Sequence, residues 1–148
     1  MRNTLMTLLV LALAACSMTP KKEVAVFTPD DIATLVVDVV EYTSAEYPPA
    51  ASTIWLAIDE GASASTSQLE FAAMLAPALR NRGFAVAVGS AGQGLAAPAL
   101  VFDAKEVAGG VVALIELDGK LATRWYQRDS SAALSSASPY TVRMRASQ

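Results

Sequence analysis

Few side chains in this 148-residue sequence could carry chemistry. It has no histidine and one cysteine, Cys16, so the commonest general base and metal ligand is missing. The lone thiol has neither a disulfide partner nor an imidazole to ionise it. Carboxylates and serines would have to supply any acid, base or nucleophile. Asp59 and Glu60 are adjacent, which on a strand sends them to opposite faces, and they read as a solvated turn and not as an acid/base pair. No Gly-x-Ser-x-Gly elbow and no Ser-x-x-Lys pair occurs. Gly89-Ser90-Ala91-Gly92-Gln93-Gly94 follows an expected strand, as phosphate-binding loops do. It lacks the Gly-Lys-Ser/Thr ending and an opening helix, and so reads as a connection. The sequence therefore predicts no catalytic residue, no metal site and no small-molecule substrate.

The meaning of Cys16 lies in its position. Arg2 is a positive end, Leu5 to Leu13 an apolar core, and Ala14 and Ala15 are small residues just before the cysteine, which is the grammar of an export signal. The apolar core is too short for a membrane-spanning helix, which needs about 20 residues. Leu13-Ala14-Ala15-Cys16 resembles the lipobox of bacterial lipoproteins. In those proteins the cysteine sulfur receives a diacylglycerol, the signal is cut before it, and the new amino terminus is acylated. The resemblance implies residues 1–15 as signal peptide, Cys16 as lipid attachment point, and no cofactor beyond that covalent lipid. Ser17 after the cysteine, by the same resemblance, implies the periplasmic face of the outer membrane.

Residues 16–27 read as a tether, with Pro20, Lys21 and Lys22 close to the lipid, and residues 28–148 as one periplasmic domain. The net charge is −3, and a signal cut removes Arg2 as well, so no basic field exists for nucleic acid. The 53% hydrophobic content is partly alanine and partly the signal, and argues for a globular fold without further membrane spans.

Elements follow from local signals. Thr28-Pro29-Asp30-Asp31 combines a threonine cap, a proline at the first helical position and carboxylates at the positive helix end. Ile32, Leu35, Val36, Val39 and Val40 recur at helical spacing, the valine richness leaving a strand as the alternative. Tyr47-Pro48-Pro49 ends this element. "TIWLAI", Thr53 to Ile58, reads as a buried strand. Ser67-Gln68-Leu69-Glu70 has a capping-box pattern, and Leu69, Ala72, Ala76 and Leu79 continue a stripe with Phe71 and Leu75 beside it. Gly83 is the expected stop, and Pro77 is expected to kink or split this helix. Further strands are expected at Phe84 to Val88, Ala99 to Asp103, Gly110 to Leu117, Lys120 to Arg128 and Tyr140 to Arg145, with Asp118-Gly119 as a two-residue hairpin turn. Residues 53–88 then form a strand, helix, strand unit with parallel strands. The sum is an α+β fold, a mixed, mostly antiparallel sheet with two main helices packed on one face. Trp55, Phe84 and Phe102 are expected in the core. Trp125 and Tyr126 straddle a strand, so one ring either faces solvent or joins the core. With Arg124 and Arg128, Tyr126 marks a candidate partner-contact face.

Tyr47-Pro48-Pro49-Ala50, then "TIWLAI", then "FAAMLAPALRNRGFAV" resemble the TrbH family of conjugal transfer lipoproteins. The likeness covers the lipobox and roughly residues 35–88, and its motifs are structural, with no catalytic residue to carry over. It implies a non-enzymatic part in the mating-pair formation apparatus of a type IV secretion system, which moves plasmid DNA between bacteria, with other envelope proteins as partners. The alternative is an envelope module that binds peptidoglycan or another cell-wall ligand, although the Asp and Arg signature of OmpA-like domains is not recognisable.

Overall fold

Thr28 starts the first helix, α1 (Pro29–Glu46), by a reciprocal cap: its Oγ1 accepts the Asp31 N–H at 3.2 Å, and Asp31 Oδ2 accepts the Thr28 N–H at 3.0 Å. The computed structural model describes residues 27–58, 66–90 and 96–145. α1 stops where Tyr47 turns extended ahead of Pro48, and one 3-10 turn (Pro49–Ala51) leads into β1 (Thr53–Ile58). The second helix, α2 (Thr66–Arg82), is followed by Gly83 and β2 (Ala85–Ser90). Then come β3 (Ala99–Val107), β4 (Gly110–Leu117), β5 (Lys120–Arg128), β6 (Leu134–Ser136) and β7 (Thr141–Met144). Asp118 and Gly119, with φ of 51° and 74°, form the tight β4–β5 turn that their types favour.

The strand order is β2-β1-β3-β4-β5-β6, with β7 beside the first half of β5. β1 pairs in parallel with β2 and β3, and the other pairings are antiparallel, so the sheet is mixed and mostly antiparallel. One buried cluster joins Ile32, Leu35, Val36 and Val39 of α1, Phe71, Leu75 and Leu79 of α2, and the sheet residues Leu56, Leu100, Val111, Ala113, Ile115, Leu117, Ala122 and Tyr126. Alternation makes this work: the register sets Leu100 opposite Leu117, Ile115 opposite Ala122 and Val111 opposite Tyr126, so these side chains share one face.

Several expectations are corrected by the packing. Thr66 is already helical, so Ser67 is inside α2 and not its cap. α2 is not split at Pro77; Pro77 and Ala73 are both exposed, so the carbonyl that Pro77 leaves without a donor faces water. Leu69 is 51% exposed, outside the buried stripe. β3 is four residues longer than expected, and β6, which has one apolar residue in three, was not foreseen. Trp55 is buried, but on the sheet face opposite Leu56, away from the main cluster, whereas Phe84 joins that cluster and Phe102 stacks on Phe71 with ring centroids 3.6 Å apart. Cys16 with its lipobox, the tether up to residue 26, Asp59, Glu60 and Ala91 to Gly94 lie outside the described residues. Among the described residues no helix is long and apolar enough to cross a membrane.

Candidate functional site: an ion-pair clasp between the first helix and the fifth strand

The residues that the sequence singled out on β5 do come together, but they face inward. Strand alternation puts Lys120, Arg124, Tyr126 and Arg128 on the same side of β5 as buried Ala122, and α1 lies against that side. Three carboxylates of α1 meet three cations of β5: Asp31 with Arg128, Asp38 with Arg124, and Glu46 with Lys120. The geometry of the two elements explains the match. Seven or eight helical residues rise about 11–12 Å, and four strand residues span about 13 Å. Every fourth residue of β5 thus stays level with every seventh or eighth of α1, the two running in opposite directions.

Arg128 holds Asp31 through two parallel bonds, Nη1 to Oδ1 at 2.8 Å and Nη2 to Oδ2 at 3.0 Å. Nη2 also donates to Glu106 Oε1 at 2.8 Å and Nη1 to the Ala132 carbonyl at 3.0 Å. Burial alone would raise the Asp31 carboxyl, but the Arg128 hydrogen bonds and the Thr28 N–H outweigh it and hold the group below the ordinary carboxylate value. Further along, Asp38 Oδ2 accepts both Arg124 Nη1 at 2.9 Å and the Tyr126 hydroxyl at 2.7 Å. Arg124 Nε donates to the Ser138 carbonyl at 2.8 Å, and its guanidinium lies 4.8 Å from the centre of the Tyr140 ring. Tyr140 in turn packs on Tyr42, ring centroids 4.8 Å apart. At the far end Tyr47 donates to Asp118 Oδ2 at 2.8 Å beside the Lys120–Glu46 pair.

These contacts correct the exposed contact face expected at Arg124, Tyr126 and Arg128. Tyr126 is fully buried, and the two arginine side chains are only 21% and 23% exposed, because α1 covers them and its carboxylates neutralise them. Trp125 takes the other face of β5, where its ring lies over Gly110. A Cβ on Gly110 would meet the ring at 3.1 Å and the Tyr126 carbonyl at 2.0 Å, so no larger residue fits there. A cleft of about 240 Å³ opens beside the clasp, lined by Thr28, Asp30, Asp31, Thr34 and residues 131–134. It is smaller than the 300–1,000 Å³ usual for small-molecule pockets, and the Asp31 oxygens that border it are already engaged. Among the described residues no group of three or more acidic, histidine or cysteine residues could hold a metal ion. The clasp is thus built to fix α1 on the sheet: Asp31, Asp38 and Glu46 each pair with a cation of β5, and the buried Tyr42 hydroxyl beside Tyr140 is left without a hydrogen bond among the described residues.

The clasp also sets the alkaline limit of the fold. The chain has four tyrosines, and all four hydroxyls ionise with more difficulty than a free phenol. Burial is the first cause in each; the carboxylate contacts of Tyr126 with Asp38 and of Tyr47 with Asp118 add to it, and Tyr47 is pushed up to about 12. A raised native value means that the stabilisation is complete below the free-tyrosine value of about 10 and is lost as the pH rises through the native values. An alkaline titration of the full chain should show little tyrosinate absorbance near pH 10, then one steep rise together with loss of circular dichroism. Half of the tyrosines ionising near pH 10 with the fold intact would contradict this account.

Comparison with known proteins adds one match. A family profile described as "Conjugal transfer protein TrbH" matches residues 15–146. No curated protein and no solved structure matches the chain.

Proposed function

The chain belongs to the TrbH family of conjugal transfer proteins, and on that premise we propose that it is a non-enzymatic lipoprotein of the outer membrane, anchored through Cys16, that assembles with other envelope proteins of a conjugative type IV secretion apparatus. The family match carries this reading: it spans most of the chain and includes Cys16. Family membership places the protein in conjugal transfer and suggests the cell envelope as its location. The anchor and the outer-membrane position rest on the Leu13-Ala14-Ala15-Cys16 pattern with Ser17 after it. Acyl chains on one residue suffice physically, since each buried methylene contributes about 0.8 kcal/mol and more than one chain is needed for a durable hold.

The non-enzymatic part of the proposal is supported by how the polar groups are used. Asp31, Asp38 and Glu46 are committed to β5, and Asp103, which pairs with Lys105 at 3.5 Å, borders a cavity of only about 30 Å³ walled mainly by apolar side chains. The test pairs plasmid-transfer frequency with protein abundance. Deleting the protein should abolish transfer, and single alanine replacements of Asp59, Glu60 or Asp103 should leave transfer and abundance near those of the parent. Loss of transfer at normal abundance in any of these three would point to catalysis and overturn the proposal.

A further inference from the structure

The two margins of the sheet are built differently. At one, β5 is covered by two short pieces, β6 and β7, and β7 carries Arg143 with Arg145 next to it, the usual means of blunting an edge. At the other, among the described residues β2 pairs only with β1. Its sequence, "AVAVGS", has no charge, no proline and no bulge. The Ala85 N–H donates inward to the Ser52 carbonyl at 3.2 Å, so alternation turns the peptide groups of Val86, Val88 and Ser90 outward. Arg80 Nη2 reaches the Val86 carbonyl at 3.2 Å, which agrees with that direction.

An exposed stripe of α2, apolar but for Arg80, continues this edge. Leu69, Ala73, Pro77 and Arg80 recur at helical spacing and are all exposed, and the Arg80 contact with Val86 sets the stripe on the β2 side of the helix. Val88 is 44% and Leu69 51% exposed, large apolar side chains that no described residue covers.

We propose that β2 is a self-association edge: two copies of this chain pair antiparallel through β2 about a two-fold axis at Val88, joining their sheets and laying α2 against its counterpart. Three observations select a second copy over a single extended peptide. The strand brings no charge against itself, and with Val88 opposite Val88 the outward groups of Val86 face those of Ser90 in the second copy, so every one of them gains a partner. Next, α2 contacts both β1 and β2 and therefore lies over the gap between them. With strands about 4.8 Å apart, pairing sets the two α2 axes about 10 Å apart, within the 8–10 Å at which helices pack. Finally, a bare peptide would fill the edge yet leave Leu69, Ala73 and Pro77 in water, whereas a copy covers strand and helix together. Arg80 is the only guard on this edge among the described residues, and pairing replaces its bond to Val86 with the Ser90 N–H of the second copy.

The test uses the full chain in its own membrane with Val88→Cys. A hydrogen-bonded antiparallel pair holds its Cα atoms about 5.5 Å apart, inside the 4.4–6.8 Å range of a disulfide. Val88→Cys should run mainly as a reducible dimer on non-reducing gels, several-fold above Val107→Cys, a control of equal 44% exposure at the β3–β4 turn, and above the parent with Cys16 alone. In detergent the parent should sediment as a dimer, and Val88→Lys as a monomer with an unchanged circular dichroism spectrum. Cross-linking of Val88→Cys no greater than of Val107→Cys, or a monomeric parent, overturns the proposal. A monomeric parent whose Val88→Lys variant loses plasmid transfer at normal abundance would instead assign the edge to a strand of another component.

Discussion

Replacement of Cys16 by serine is expected to remove the protein from the membrane fraction and to abolish plasmid transfer. Cys16 is the only cysteine, so no second site can take the lipid. One acyl chain binds a bilayer with a constant of only about 10⁴ M⁻¹, so a durable lipid anchor at Cys16 would need the further chains that the same residue can carry. The apolar run Leu5 to Leu13 falls short of the roughly 20 residues that span a bilayer, and Lys21 and Lys22 contribute about 1 kcal/mol each at an anionic surface, which salt removes. The variant should therefore accumulate as an uncleaved or soluble precursor, fail to incorporate labelled palmitate, and leave the membrane under high-salt and carbonate washing. Equal retention of parent and variant under both washes, with transfer intact, would refute the lipid anchor. The variant is expected to keep the parent's melting temperature, a measurement that separates lost anchoring from lost folding.

The second large effect is expected at Arg128. Asp31 is 2% exposed and keeps its charge because Arg128 grips both of its oxygens. Arg128→Ala would leave a buried carboxylate with only the Thr28 N–H and the helix end for company, a one-sided loss that costs about 3 kcal/mol, the low end of what broken buried pairs cost. That loss corresponds to a fall in melting temperature of about 10 °C for a domain of this size. Glu106→Gln, which removes the outer, exposed partner of the same guanidinium, should cost within about 0.5 kcal/mol. The acid limb follows the same logic. Since the native Asp31 value lies below the unfolded one, its stabilisation is present above the ordinary carboxylate range and is lost as the pH falls through the lowered native value. Arg128→Ala should flatten that part of the acid unfolding curve. Thermal melts of Arg128→Ala and Glu106→Gln that coincide would show that the bidentate grip contributes nothing.

Local signals were legible wherever the physics is local. Thr28-Pro29 started α1 because a hydroxyl cap and a proline without a donor suit only that position, and Asp118-Gly119 closed β4 on β5 because the turn needs two residues at positive φ. Thr53 to Ile58, Gly110 to Leu117 and Lys120 to Arg128 are strands with the expected bounds, and the conjugal transfer family was recognisable from 47–50 and the run that follows. β6 was not legible, since a three-residue strand with one leucine has no period to read.

What the sequence could not decide was which face of β5 turns inward. Alternation alone establishes that Lys120, Arg124, Tyr126 and Arg128 share one face, with Leu121, Thr123 and Trp125 on the other. By polarity the basic face belongs in water and the Trp125 face inside. The tertiary structure reverses this, because α1 delivers Asp31, Asp38 and Glu46 at the spacing of those three cations. The pairs are 97, 86 and 74 residues apart in the chain. A charged face can be buried only when its partners arrive in register, and the position of partners so distant in sequence is set by how the helix lies on the sheet, which no local pattern encodes.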